Sequence, residues 1–329
     1  MKVLITGGAG FLGQQLLKAL LERGVLTGPT GKPEEIDSVL LFDTAASPPP
    51  SLTDARVAFA SGDIADRETA FALCDRDDMS VFHLAAVMAG VGEANFDLAM
   101  RVNLEGGRNI LEALRARQGR PRLVFASGVA VFGGEAGRGR VGDSTKHTPE
   151  TTYGATKAIL ELLVNDYTRK GFLDGRSARL PTVIVRTGTP NAAASAFASS
   201  VIREPLNGID VVVPVPDSTT MAVIGYRTAV SCLVAVHELD GDSLGADRAV
   251  ELPSTSVSVS DLIDSLHRVA SDRHLGRVTI QQDPAIVKIV ETWPSETEDQ
   301  KATALGLPRD ADIDSIVAAF IEDFIDQEG

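Results

Sequence analysis

The hydrophobic positions along the first half of the chain alternate between two periods. Short apolar or β-branched runs at Lys2 to Thr6, Val39 to Phe42, Val57 to Ala60, Val81 to Leu84 and Leu123 to Ala126 read as buried strands. Between them, Phe11 to Arg23, Asn103 to Arg117 and Ala155 to Arg169 carry helical spacing. A sixth strand is predicted at Val183 to Arg186. Strand–helix alternation implies an α/β fold, a Rossmann-like doubly wound parallel sheet with helices on both faces.

After Thr187 the sequence turns small and polar (GTPNAAASAFASS) and the alternation stops. The pattern therefore predicts a Rossmann domain over 1–188, with 221–253 returning to it, and, over 189–329, mainly a smaller C-terminal lobe. Helices are predicted near Val259 to Ala270 and Ile313 to Ile325. Ligand is expected at the carboxyl ends of the strands, where the lobes meet. Gly24 to Asp37 and the proline-rich Thr44 to Thr53 read as surface connections.

Composition narrows the class. Of 329 residues, 44% are apolar, enough for a large core, and 23% are charged. The net charge of -14 argues against nucleic acid or an anionic membrane as the main partner. Cys74 and Cys232 each sit in an apolar stretch and read as buried thiols. The histidines are scattered, so no metal is expected. The opening MKVLIT is already a strand and no apolar run approaches spanning length, which makes a cytoplasmic protein the expectation.

Two motifs carry chemistry. Thr6-Gly7-Gly8-Ala9-Gly10-Phe11-Leu12-Gly13 follows the first strand and opens a helix. Gly7 permits the tight turn, Gly10 admits a pyrophosphate to the backbone, and Gly13 lets the helix pack on the strand. The N–H groups of the first turn, at Phe11, Leu12 and Gly13, would face the anion. Asp43 ends the second strand, where a carboxylate accepts ribose hydroxyls and repels a 2′-phosphate. No Arg or Lys follows it, so the cofactor expected is NAD. Asp63 and Ile64 would lie beside the adenine, with Asp63 equally readable as a helix-capping residue. Leu84, Ala85 and Ala86 end the fourth strand and leave space for the cofactor; His83 before them reads as a packed, hydrogen-bonded histidine.

The second motif, Tyr153-Gly-Ala-Thr-Lys157, starts a helix, and residues four apart share a face. A lysine ammonium near a phenol lowers its pKa from ~10 towards neutrality, so tyrosine can exchange a proton with a hydroxyl.

TGGAGFLG, an acid ending strand two, GDI, FHLAA, VN, VFG and YGATK, in this order, resemble the extended short-chain dehydrogenase/reductase (NAD-dependent epimerase/dehydratase) family. MRVNLEG, SGVAVFGG, GFLDGRSARL and PNAAASAFASSVIREPL are similar to a narrower group, the D-erythronate dehydrogenases, which oxidise a four-carbon sugar acid at C2 with NAD. The resemblance implies that Asn103 supports the active-site lysine and a proton-relay water. It implies that Thr187 and Asn191 reach the cofactor, and that Asn191, Ser195 and Arg203 face substrate, with Arg203 a partner for its carboxylate. It also implies a homodimer through the helices near 103–117 and 155–169, where Ile159, Leu160, Leu162, Leu163 and Val164 nearly encircle their helix.

The chain departs from the pattern at two places. The family sets a Ser or Thr five residues before the glycine of its V-[YF]-G motif; here that position is Gly128, followed by Val129, both lining the substrate position by resemblance. Ser127 is one residue too early, and strand alternation would point it away from the tyrosine. Loss of such a donor typically costs ~10²–10³ in rate. Three readings stay open: a weakened variant, a local bend that lets Ser127 or Thr152 substitute, or a changed substrate using the space at Gly128. The second departure is Thr189, where the erythronate group carries a lysine. The activity expected is oxidation of a secondary hydroxyl of a small sugar acid. The alternatives are an epimerase or isomerase without net redox, and a catalytically weakened NAD-binding protein.

Overall fold

The computed structural model describes residues 1–49, 53–188 and 195–328. Two compact units emerge: 1–128, 151–179 and 230–250 form the first, and 129–150, 180–229 and 251–329 the second.

The first unit is built on a seven-stranded sheet. Its strands are β1 (Lys2–Thr6), β2 (Ser38–Asp43), β3 (Val57–Ser61), β4 (Met79–His83), β5 (Arg122–Gly128), β6 (Asp174–Leu180) and β7 (Ala249–Glu251), in the order β7-β6-β5-β4-β1-β2-β3. The β2–β1, β3–β2, β4–β1 and β5–β4 pairings are parallel. Helices α1 (Phe11–Arg23), α2 (Arg67–Leu73), α3 (Gly106–Arg115), α4 (Thr152–Arg169) and α5 (Tyr226–Glu238) connect or flank these strands. Every residue of β1, β4 and β5 is buried, as expected of strands covered on both faces. Leu4, Val81, Leu123 and Phe125 pack with Ile110, Leu111 and Leu114 of α3 and Leu160 and Val164 of α4. The doubly wound sheet is the one the hydrophobic pattern predicts.

Three expectations need correction. The strand beyond β5 is Asp174–Leu180, whereas Thr182–Ile184 pairs with Thr220–Gly225 in a separate three-stranded sheet. The polar sequence DGRSARL hides this strand, because Arg176 and Arg179 are buried with carboxylate partners. The stretch Gly24 to Asp37 contains a small hairpin, Val25–Thr27 with Pro33–Glu35. The predicted helix from Asn103 starts earlier, with a π-helical turn, Met100–Glu105, running into α3.

The second unit has its own core. Ile184, Phe197, Val201, Ile202, Met221, Val257, Leu262, Leu266 and Phe320 lie buried together. They bring Ala196–Leu206, Val259–Val269 and Ile313–Phe320 against the small sheet.

Candidate active site

The turn after β1 is shaped by what side chains would hit. Gly7 has a φ of 71°, and a Cβ there would come within 2.9 Å of the Ala85 nitrogen. A Cβ on Gly13 would meet the Gly7 carbonyl oxygen at 2.5 Å. Glycine alone lets the β1 turn touch the β4 loop and lets α1 start against it. The α1 N-cap is Gly10, which offers no side-chain oxygen, and Gln14 is bonded back to the Gly10 carbonyl. A helix start of this kind suits an anion, with Phe11 and Leu12 half-buried in its first turn.

Asp43 leaves β2 beside this turn. Its Oδ2 accepts the Ala9 N–H at 3.0 Å and its Oδ1 the Thr44 N–H at 2.8 Å. The carboxylate is thereby fixed next to the glycine turn, half-buried and able to accept hydroxyls. Asp63 follows β3. Its Oδ1 caps Ala65 N–H at 2.9 Å and its Oδ2 is paired with Arg101, a residue the sequence reading missed. Burial pushes the Asp63 carboxyl up, but the Arg101 hydrogen bond and the Ala65 N–H hold it below the usual range. Ile64 is buried, and a Cβ on Gly106 would meet its side chain. Leu84, Ala85 and Ala86 are half-buried beyond β4.

Tyr153 and Lys157 lie at the head of α4. Thr151 caps the helix by accepting Gly154 N–H, and Glu93 accepts Thr152 N–H at 2.7 Å. Lys157 Nζ lies 5.3 Å from the Tyr153 ring centroid and 4.7 Å from that of Phe125. It donates to the Ala126 carbonyl at 2.6 Å. Burial pushes the lysine down to about 7, against a smaller opposing pull from Glu161. Near neutrality it can therefore hold or release a proton.

Asn103 is buried on the π-helical turn. Its Oδ1 accepts Val87 N–H at 2.7 Å, and its Nδ2 donates to Val87 O at 3.0 Å and Thr156 Oγ1 at 3.4 Å. Its amide clamps the loop after β4. Ser127 and Gly128 end β5, both buried. In the second unit, Val129 opens a short 3₁₀ turn and Thr187 is half-buried. Ser195 is the N-cap of Ala196–Leu206. Arg203 is buried and donates to Glu204, the Arg186 carbonyl and Ser200. Asn191 and Thr189 lie outside the described residues. Among the described residues, no group of three His, Cys, Asp or Glu could hold a metal. Neither cysteine is in a disulfide, and both are buried.

A family model described as the NAD dependent epimerase/dehydratase family matches residues 3–226. The chain belongs to that family. It is an NAD-dependent enzyme of oxidoreductase type, and the glycine turn, the side-chain-free helix start and Asp43 fit the dinucleotide. The chain is 47% identical over 323 residues to a D-erythronate dehydrogenase of Cupriavidus necator, covering 98% of each. It is 37% identical to a D-erythronate dehydrogenase of Haemophilus influenzae, covering 98% of this chain and 99% of that one. Among solved structures it resembles a nucleoside-diphosphate-sugar epimerase from Agrobacterium tumefaciens, with TM-score 0.91 and 34% identity over 99% of this chain and 95% of that one.

Proposed function

We propose that this protein oxidises the C2 hydroxyl of a small sugar acid, D-erythronate or a close relative, to the 2-keto acid. The observation that carries the substrate class is the 47% identity, over almost the whole chain, to a D-erythronate dehydrogenase. Bound NAD supplies the acceptor for the hydride leaving C2. Tyr153 takes the hydroxyl proton. Lys157, beside the Tyr153 ring, lowers the phenol's pKa by its positive charge. Asn103 acts one step back, by fixing Val87 and with it the loop beyond β4. Asp43 would hold the adenosine ribose, and Asp63, with Arg101, would border the adenine. Per turnover, one C–H and one O–H bond break, one C=O bond forms, and NADH and a proton are released.

The substrate side of the reading rests on Gly128, Val129, Asn191, Ser195 and Arg203, with Thr187 beside the cofactor. Arg203 can serve a carboxylate by the one N–H that its bonds to Glu204, Arg186 and Ser200 leave. Two copies of the chain would pair through α3 and α4, because Ile159 and Leu162 are 40% and 64% exposed on α4 while Leu160 and Val164 face the core. Sedimentation at micromolar concentration checks the dimer. No helix among the described residues is long and apolar enough to cross a membrane.

The test is a panel of sugar acids, D-erythronate first, with NAD, followed by identification of the keto acid. A 2-keto acid formed in step with NADH supports the reading. Inversion at a carbinol carbon without net NADH would replace it with an epimerase.

A further inference from the structure

Two side-chain atoms at the carboxyl ends of β4 and β5 are buried without a hydrogen-bond partner among the described residues: His83 Nε2 and Ser127 Oγ. Both residues are 2% exposed. Buried polar atoms are normally matched by protein or by ordered water, so a pair of unmatched ones in one place calls for a ligand.

They are in one place by register. His83 is paired with Phe125 across the parallel β4–β5 ladder. Paired residues share a face, and so do residues two apart on one strand. His83, Phe125 and Ser127 therefore lie on the same face. It is also the face covered by α4, since Phe125 packs with Leu160 and Val164. The His83 and Phe125 rings stack with centroids 5.8 Å apart. The same Phe125 ring takes the Lys157 ammonium at 4.7 Å. One aromatic ring thus meets the imidazole and the ammonium, and the Ser127 hydroxyl follows two residues on along the same strand face.

The remaining bonds of this group are spoken for. His83 Nδ1 is bonded to Thr6 Oγ1 at 2.7 Å, and Thr6 Oγ1 also accepts Ala85 N–H at 3.2 Å. Either imidazole tautomer leaves Nε2 one bond to make, as donor or as acceptor. Lys157 uses one N–H on the Ala126 carbonyl. Asn103 commits both ends of its amide to Val87. We propose that His83 Nε2, Ser127 Oγ and Lys157 Nζ together hold one water molecule. This water, and not Asn103, solvates the lysine while it supports proton transfer at Tyr153.

The electrostatics agree with that arrangement. Burial pushes His83 down to about 3, with Lys157 adding to the effect, so His83 is a neutral partner at working pH. The titratable groups set around Lys157 are Tyr153 and Glu161 on its own helix and His83 on β4. Glu161 is ion-paired with Arg179. The β5 strand contributes only the Ala126 carbonyl, the Phe125 ring and the Ser127 hydroxyl. A shared water offsets burial by giving the cation a neutral, polarisable contact. Ser127 is in this account a positioning residue, acting on the chemistry through Lys157.

The catalytic half of the proposal rests on the dehydrogenase reading; the water itself does not. The test therefore has two arms. A crystal structure of the holoenzyme at a resolution that defines ordered water should show density within hydrogen-bond reach of all three atoms, lost in Ser127→Ala. A dry pocket in the unsubstituted protein overturns the proposal whatever the substrate. With an active substrate, Ser127→Ala and His83→Phe, the latter keeping the stack on Phe125, should each shift the acid limb of the kcat profile upward by roughly half to one pH unit. KM should stay unchanged, and Ser127→Thr should restore the limb. An equal loss at every pH would instead mean that Ser127 touches the substrate directly, and would refute the positioning role.

Discussion

The two ends of the same strands in the first unit are both polar and both buried, yet they are wired differently. At the starting ends, Arg122, Arg176 and Arg248 converge on Asp174. Arg122 and Arg176 also donate to the His237 carbonyl at the end of α5. The His237 ring is itself bonded to Ser80 and Glu238. Arg176 Nε is among the few atoms left unmatched there. At the carboxyl ends, Lys157, His83 and Ser127 stand with bonds to spare. One end is braced, tying β5, β6, α5 and the lead-in to β7 through charge-assisted bonds. The other keeps polar atoms available around a lysine poised near neutrality. A sheet can carry an active site at one edge when the opposite edge is closed.

Four experiments sharpen or break that contrast. The largest effect is expected from Tyr153→Phe, which should lower kcat by ~10²–10⁴ while leaving the thermal midpoint in place; steady-state kinetics beside calorimetry checks both halves. Asp174→Ala should do the reverse. It strands three buried guanidiniums and should cost about 3–5 kcal/mol in urea unfolding, with kcat/KM of the folded protein unchanged. If Asp174→Ala lowered kcat/KM as strongly as stability, the two ends would not be separable.

Acid should weaken both ends together. Burial holds His83 at about 3 and His237 at about 4, below the ordinary histidine value. The unfolded chain then binds protons that the native one does not, so stability is lost as pH falls from the ordinary value of ~6.5 towards those values. The slope is up to about 1.4 kcal/mol per pH unit for each histidine. Urea midpoints from neutral pH downward should show it, and His83→Phe should flatten the slope by about one proton. The smallest effect concerns cofactor choice. Asp43→Ser should weaken NAD binding by roughly tenfold and narrow the preference over NADP, read by titration calorimetry.

What could be read before folding was what depends on local spacing. The glycine turn, Asp43 at a strand end, and Tyr153 with Lys157 one helical turn on are each contained in a few residues, and each lies where the pattern implied. The strands β1 to β5 were legible because both their faces are apolar. β6 was not: Asp174, Arg176 and Arg179 look like a surface segment until Asp174 and Glu161 are seen to neutralise the arginines. Asp63 with Arg101, and His83 with Ser127, are assembled by the sheet from distant positions, and no spacing announces them. Strand alternation argued that Ser127 turns away from the tyrosine. The same alternation sets it with Phe125, on the face that α4 covers.

The most direct test of the account is NADH formation from D-erythronate by the protein with Gly128 in place, run beside Gly128→Ser. The account predicts NADH and a 2-keto acid from the unsubstituted protein, with a higher rate once a hydroxyl is restored at 128. NAD bound by both proteins, with no NADH from either on any sugar acid, would contradict it.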